Sequence, residues 1–578
     1  MSNDLGIDRS GNGNSWTVNN MAFADQVVDS PTNNFATWNP LQYGWNYTPV
    51  YTEGNTKISF TNAGAYGHGY GTIGGLKSGK WYWETLVNAQ GTDTRIGIAG
   101  QVTGSDGEAD VWRQYIDNLN DGNGKNKNGG FDNSYGSSFT SGDIIGLAVD
   151  IDNGTIAFYK NNSSQGTAYT DILSAMPDDG WMPHSSGYNT STITTNFGQD
   201  SSFAGAKTAQ GNQDGNDIGD FYYTPPTGFL ALCTSNLPEP AVKPAENFNT
   251  VIYTGNATAR SITGVGFQPD WVWIKNRAAT ENHTIYDVLR GAEIRLASDA
   301  NDGEDDRGSY GLTAFGADGF TIGTGGELNG NNQAIVAWNW KAGGSGSANN
   351  DGDNNATVSA NTDAKFSIVS YTGSGGEPKT VAHGLGASPE MVIIKKRNNA
   401  ASWVVWHKDL ADNYAFEGLD TTGAAVSGGS PISKYVDAVS STLVTLGDAS
   451  ENNNSGDTFI MYCWASVDGY SKIGTYTGNG NANGTFVYTG FRPAWVMWKK
   501  SNSSGTMWQI MDTARDTFNV MHKYLQANTT QAEAEYDFVD YTSNGFKHRH
   551  TSGHANGSGD TYIYLAFAET PFKHSNAR

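Results

Sequence analysis

The side chains of this 578-residue chain best placed for chemistry are acidic and amide groups crowded into loops. DANDGEDDRG, residues 299–308, sets Asp299, Asn301, Asp302, Glu304, Asp305 and Asp306 close together. Several carboxylate and carbonyl oxygens on a flexible loop suit a hard cation such as Ca²⁺. The candidate ligands are Asp299, Asn301, Asp302, Glu304 and Asp306, although the spacing lacks the Gly and Glu that an EF-hand loop requires. A second Asn/Asp/Gly loop offers Asp117, Asp121 and Asn123. Both loops also read as solvated turns, which need no ligand. No cofactor is expected from these patterns, and calcium is the one candidate they offer.

HRHTSGH carries His548, His550 and His554, and imidazoles bind transition metals. No carboxylate or thiol nearby completes a closed site, so an exposed strand and turn is the expectation; His68 reads as a loop residue. Nucleophile elbows, phosphate-cradling glycine loops and zinc-protease signatures are absent as motifs. A carboxylate pair for glycoside cleavage is recognised only by its separation in space. No catalytic residue is therefore named, and a non-enzymatic role is expected. Loop aromatics remain: Trp112 and Tyr115 in DVWRQYIDN, Phe131 and Tyr135 in GGFDNSYG. Rings on loops offer a ligand large contact area at low entropic cost, which makes these four the candidate ligand-binding residues.

The elements that must position them are strands. Glycine is abundant at 73 residues, yet the chain also holds 17 Trp, 28 Tyr and 24 Phe, which a disordered chain lacks. Short strands joined by Gly/Asn turns, an all-β multidomain protein, fit this balance. With 35 basic against 58 acidic residues the net charge is −23, which excludes nucleic acid and anionic membrane as partners. No apolar run is long enough to span a membrane, and the first residues show no charged-then-apolar leader. Cys233 and Cys463 form no disulfide or zinc framework, and Cys463, inside FIMYCWA, is expected as a buried thiol.

From residue 248 the chain repeats itself. Three units open on Tyr-Thr-Gly at Tyr253, Tyr371 and Tyr476, and continue with GFQPDWVWIKNR, GASPEMVIIKKR and GFRPAWVMWKKS. Lys275, Lys395 and Lys499 each stand six residues after a proline, and each unit closes on an aromatic strand ending at Trp340, Trp464 or Phe567. Trp271 becomes Met391 in the second copy, so volume persists while aromatic character does not. That is the mark of a buried strand rather than a stacking site. With both faces apolar the strand must be covered twice, the second time by a neighbouring domain or a copy of the chain. The lysine is expected to reach solvent along its own stem. The predicted layout is an extended arm at 1–44, a β-sandwich at 45–205, a linker at 206–247, and sandwich or jelly-roll repeats at 248–342, 365–467 and 468–578. A Gly/Ser/Asn linker, 343–364, separates the first two repeats.

Block 45–205 resembles the SPRY domain. Gly79, Lys80, Trp81, Tyr82 and Glu84 match its Gly-Lys-Trp-Tyr-x-Glu strand, GDIIGLAVDIDNGTIAFYKN its Gly-Asp-x-Ile-Gly strand and hairpin, and Asn196, Phe197 and Gly198 its Asn-Phe-Gly. The resemblance implies a bent two-sheet β-sandwich that binds partners through loops at one rim, without catalytic groups. The whole series, from IDRSGNGNSW through the Trp-rich repeats to AFAETPF, is similar to tail-fibre-like structural proteins of marine bacteriophages. That likeness implies a virion component at the tail or particle surface, assembled in the host cytoplasm and anchored to other virion proteins by its N-terminal arm. A host-surface glycan or protein would be its target, and a homo-oligomer, most simply a trimer, would cover the second face of the Trp strands. A capsid-decorating protein and a polysaccharide-binding or polysaccharide-degrading β-sandwich are the alternatives.

Overall fold

The computed structural model describes residues 6–8, 11–19, 27–30, 32–42, 49–61, 64–100, 111–118, 122–127, 130–376, 379–410, 417–426 and 435–574. It is 45% strand and 3% helix, and the chain divides into two compact units, Met1–Pro238 and Glu239–Arg578.

The first unit is a two-sheet sandwich. One sheet runs Val50–Thr52, Lys57–Phe60, Ser191–Asn196, Lys80–Ala89, Ile144–Asp150, Thr155–Lys160 and Ser163–Tyr169 in spatial order. The other runs Gly67–Tyr70, Met182–Tyr188, Asp93–Ala99, Trp112–Asn118, Gly122–Lys127 and Gly130–Asp132. The Asn-Gly hairpin forms as the sequence indicates: Thr155 pairs with Asp150, and Gly154 takes φ +73°, a left-handed conformation that favours glycine.

Two segments of this unit differ from the sequence expectation. Residues 29–42 are not a free arm. Phe35 and Trp38 are buried, Trp38 packs edge-on against Phe197 at 5.5 Å, and the Ala36 amide donates to the Leu232 carbonyl. Residues 206–237 are not a spacer either, because they strap back over the sandwich. Leu230–Ala231 adds in parallel to Lys80–Ala89, and Phe221 is fully buried against Tyr82. The strap is held by Glu84, whose carboxylate lies inside the unit and accepts from the Tyr222 and Tyr223 amides at 2.8 Å each. Burial, only partly offset by those donors, pushes the Glu84 carboxyl up to about 7. Glu84→Ala orphans two backbone amides, an expected cost of about 1–3 kcal/mol. In hydrogen exchange the Tyr222 and Tyr223 amides should then lose protection, while Ile144–Asp150 keeps its own.

The second unit contains the three repeats in a common register. The aromatic closing strand lies between the other two markers each time: Ala334–Trp340 between Phe248–Thr254 and Trp271–Asn276, Thr458–Trp464 between Phe366–Thr372 and Met391–Lys396, and Thr561–Pro571 between Ser471–Thr477 and Phe491–Lys500. Trp271 pairs with Trp340, Met391 with Trp464 and Trp495 with Phe567. Pro269 and Pro389 precede their strands, whereas Pro493 sits within its strand at a register shift, where a missing amide costs little. The 343–364 segment is not a free linker: Ser347–Asn349 and Ala356–Asn361 extend the second repeat's sheet. Within it, Asn354 is buried and accepts from the Ser374 hydroxyl.

Alternation along the repeated strand divides its side chains between two cores. Val272 and Ile274, Val392 and Ile394, Val496 and Trp498 fill three separate interiors, one per repeat. Trp271 and Trp273, Met391 and Ile393, Trp495 and Met497 all enter one common core, together with Trp338, Trp340, Tyr462, Trp464 and Phe567. The second face of each strand is thus covered inside a single chain by the other two repeats.

Candidate functional site

The four candidate aromatics of the first unit separate once placed. Tyr115 is fully buried, with its hydroxyl on the Ser137 carbonyl and its ring edge-on to Tyr135 and Phe139. Tyr135 is buried too, and its hydroxyl donates to the Gly166 carbonyl at 2.9 Å. Both belong to the core and cannot face a ligand. Their strand and turn contribute inward-pointing rings, which sequence alone could not tell from outward ones. Trp112 begins the strand Trp112–Asn118, and its side chain lies outside the described residues, as do Asp121 and the side chains of Asp117 and Asn123.

Phe131 is different, being 48% exposed. The Arg95 guanidinium lies 5.6 Å from its ring centre and 4.3 Å from that of Tyr66, and Tyr188 adjoins Tyr66 at 5.1 Å. Arg95 is fixed by Asp93, with Nη2 2.6 Å from Oδ2, and by the Tyr66 hydroxyl at 2.7 Å. The Tyr66 hydroxyl in turn donates to Asp93 at 2.7 Å, and burial together with that carboxylate pushes it up to about 12. The result is a half-exposed plate of rings around a neutralised cation, held in one geometry before any ligand arrives. It can stack and exclude water but offers no nucleophile and no free acid. Tyr66 and Tyr188 lie far from Phe131 in sequence, so no local pattern joined them to it.

The acidic loop of the second unit serves as a clasp. Glu304 holds Arg397 of the second repeat in a two-pronged pair at 2.8 and 3.0 Å, and the Asn301 carbonyl accepts from Lys395 Nζ at 3.1 Å. Asp305 pairs with Arg295, Asp306 accepts from the Gly308 amide, and Asp299 accepts from Asn282 and the His283 amide. Asp302 is exposed. Among the described residues no group of three or more His, Cys, Asp or Glu is gathered as a metal site. Asp299, the Asn301 carbonyl, Glu304 and Asp306 are each engaged by protein donors, and the five residues proposed for calcium, Asp302 among them, are not gathered around one point.

The lysine of each repeat is buried rather than snorkelling, and the three form a cycle. Lys275 donates to the Thr530 carbonyl of the third repeat at 3.0 Å, Lys395 to Asn301 of the first, and Lys499 to the Gly423 carbonyl of the second at 2.6 Å. Burial pulls Lys275 and Lys395 down to about 8. Backbone bonds follow the same circuit, from Glu533 to Arg277, Glu304 to Arg397 and Ala425 to Ser501. Two of the three seams add an arginine–glutamate pair, Arg277–Glu533 and Arg397–Glu304; Ser501 and Ala425 stand in its place at the third.

His548 is buried and stacks on Tyr476 at 4.7 Å, so it is not on an exposed strand; burial pulls it down to about 3. His550 meets the Tyr536 hydroxyl at 2.6 Å. Cys463 is a buried thiol pushed up by burial, and Cys233 is buried as well. A shallow cleft of about 240 Å³ is lined by Phe248, Thr250, Ala494, Thr513, Ala568 and Glu569, and Glu569 is paired with Arg492 at 2.8 Å.

Comparison with known proteins agrees with this division. Residues 80–200 match the SPRY domain, and residues 243–571 match a family described as a domain of unknown function, DUF7483. An ATP-dependent RNA helicase, DDX1 of Xenopus laevis, is 30% identical over 181 residues, 31% of this chain and 20% of the helicase. The chain thus spans about a fifth of the length of that relative. Among solved structures, the SPRY domain of human HERC1 is 19% identical, with 27% of this chain and 96% of that one covered and a TM-score of 0.20. The carbohydrate-binding module CBM66 from Bacillus subtilis is 9% identical, with 28% and 93% covered and a TM-score of 0.20. Because the match at 243–571 takes in more than half of its residues, the chain belongs to the DUF7483 family and carries a SPRY domain ahead of that region.

Proposed function

We propose that the chain is a structural protein of a bacteriophage particle, of the tail-fibre or surface-adhesin type, which binds a host-surface glycan or protein, or neighbouring virion proteins, without catalysis. The observation that carries the reading is the plate of Phe131, Tyr66, Tyr188 and Arg95, rigid and half-exposed. Such a chain recognises by surface contact. The motif series shared with tail-fibre-like proteins supports the virion location and assembly in the host cytoplasm. A homotrimer is still open to this protein, but the Trp strands no longer require one, since their second face is covered within the chain.

Gold-labelled antibody against the purified chain should mark tails in intact particles; capsid labelling would favour the decorating-protein reading. Release of reducing sugar from host polysaccharide would overturn the non-catalytic assignment. Phe131→Ala should leave the melting temperature unchanged and weaken binding to host cells about tenfold, the loss of a central aromatic contact of about 1.4 kcal/mol.

A further inference from the structure

The seam between the third and second repeats contains something the other two lack. Glu417 pairs with Val405 across its sheet as Leu296 pairs with Ile285 and Leu525 with Ile510. A carboxyl therefore stands where the sister repeats bury leucine, and it is itself 0% exposed. Lys499 Nζ, equally buried, lies 3.2 Å from Glu417 Oε2. Neither carboxyl oxygen has another hydrogen-bond partner among the described residues. Lys275 and Lys395 make no ion pair among those residues, only bonds to carbonyls. A plain buried ion pair is a poor use of such a position, because leucine of similar volume is as good or better for stability.

We propose that Lys499 and Glu417 condense into an isopeptide bond that ties the third repeat covalently to the second. The surroundings favour the neutral reactants. Burial raises the Glu417 carboxyl to about 7 and lowers the Lys499 ammonium, and both shifts move the pair toward the uncharged acid and amine. The Gly423 carbonyl, 2.6 Å from Nζ, holds the amine by one of its hydrogens. The nitrogen lone pair adds to the Glu417 carboxyl carbon, the C–OH bond breaks, and the hydroxyl leaves as water with a proton from the nitrogen. Amine plus carboxylic acid gives amide plus water, and no oxidant or further reactant is needed. Holding the pair at about 3–3.5 Å supplies an effective concentration high enough to favour the amide. The bond would serve the one seam that has Ser501 and Ala425 instead of an arginine–glutamate clasp.

The test is the mass of the full-length chain under denaturing conditions. The wild type is expected one water lighter than its sequence, and a tryptic digest should contain a branched peptide joining the segments around Lys499 and Glu417. Glu417→Leu, which installs the sister repeats' residue, and Lys499→Arg should each restore the full mass. A wild type at full mass after prolonged incubation at neutral pH overturns the proposal and leaves an ion pair. So does a lost water that persists in Glu417→Leu and maps to an Asp-Gly succinimide.

Discussion

Trp340→Ala is expected to destabilise the second unit by about 3–5 kcal/mol, the usual cost of emptying a tryptophan site in a packed core. The ring is fully buried and touches Trp271 at 4.5 Å and Phe248 at 4.9 Å from its own repeat. From the third repeat it meets Phe567 at 5.5 Å and Trp495 at 5.6 Å. The cavity therefore opens where two repeats meet and cannot be filled by relaxing one of them. Urea unfolding followed by tryptophan fluorescence should show the loss as a lower midpoint. Ile252→Ala, on the neighbouring strand but 49% exposed, should change stability by less than about 0.5 kcal/mol. Equal effects at the two sites would mean that the common core does not bear the unit's stability.

Asp512→Ala should cost a similar amount, about 3–5 kcal/mol, through charge rather than volume. Asp512 and Arg515 are both fully buried, with Nε 2.5 Å from Oδ2, and Trp338 of the first repeat donates to the same carboxylate at 2.9 Å. Removing the carboxylate strands the guanidinium, which would keep only Glu533 as an anionic partner. The first repeat repeats this arrangement with Asp287, Arg290 and a donated hydroxyl from Tyr462. The second repeat shows how to do without it: His407 and Leu410 occupy the two positions, and burial holds His407 neutral, down to about 4. The double change Asp512→His with Arg515→Leu should therefore recover more than half of the loss. A double variant no more stable than the single one would show that the Trp338 bond, not the stranded cation, sets the cost.

How much of this was legible in the sequence follows from what each signal measures. Period-two alternation and turn residues locate strands, so the SPRY strands and the three Trp strands fell where the pattern put them. Volume conserved from Trp271 to Met391 correctly indicated burial. The lysines misled because a cation ending an apolar strand is normally at the surface, and only the neighbouring repeat's carbonyls make its burial tolerable. Phe35 and Trp38 sit among polar turn residues, and Phe221 opens a short aromatic run just before two prolines; neither stretch alternates, so residues 29–42 and 206–237 read as arm and spacer. The acidic loop was legible as a cluster but not as a clasp, since Arg397 lies 93 positions from Glu304. Tyr115, Tyr135 and Phe131 share one local composition, and only the path of the backbone decides which ring points outward.

The closed circuit of repeats has a consequence for synthesis. Phe248 is made about 320 residues before Phe567, the ring it stacks on at 5.0 Å and the last large ring of the common core. At roughly 5–20 residues per second, its face waits about 15–60 s on the ribosome for partners that do not yet exist. Each repeat can fill its own small interior as it emerges, but the circuit shuts only when the final strand, Thr561–Pro571, inserts between two strands already made. A nascent chain stalled before that strand displays a broad tryptophan surface, a natural target for chaperones and for association with its neighbours on the same polysome.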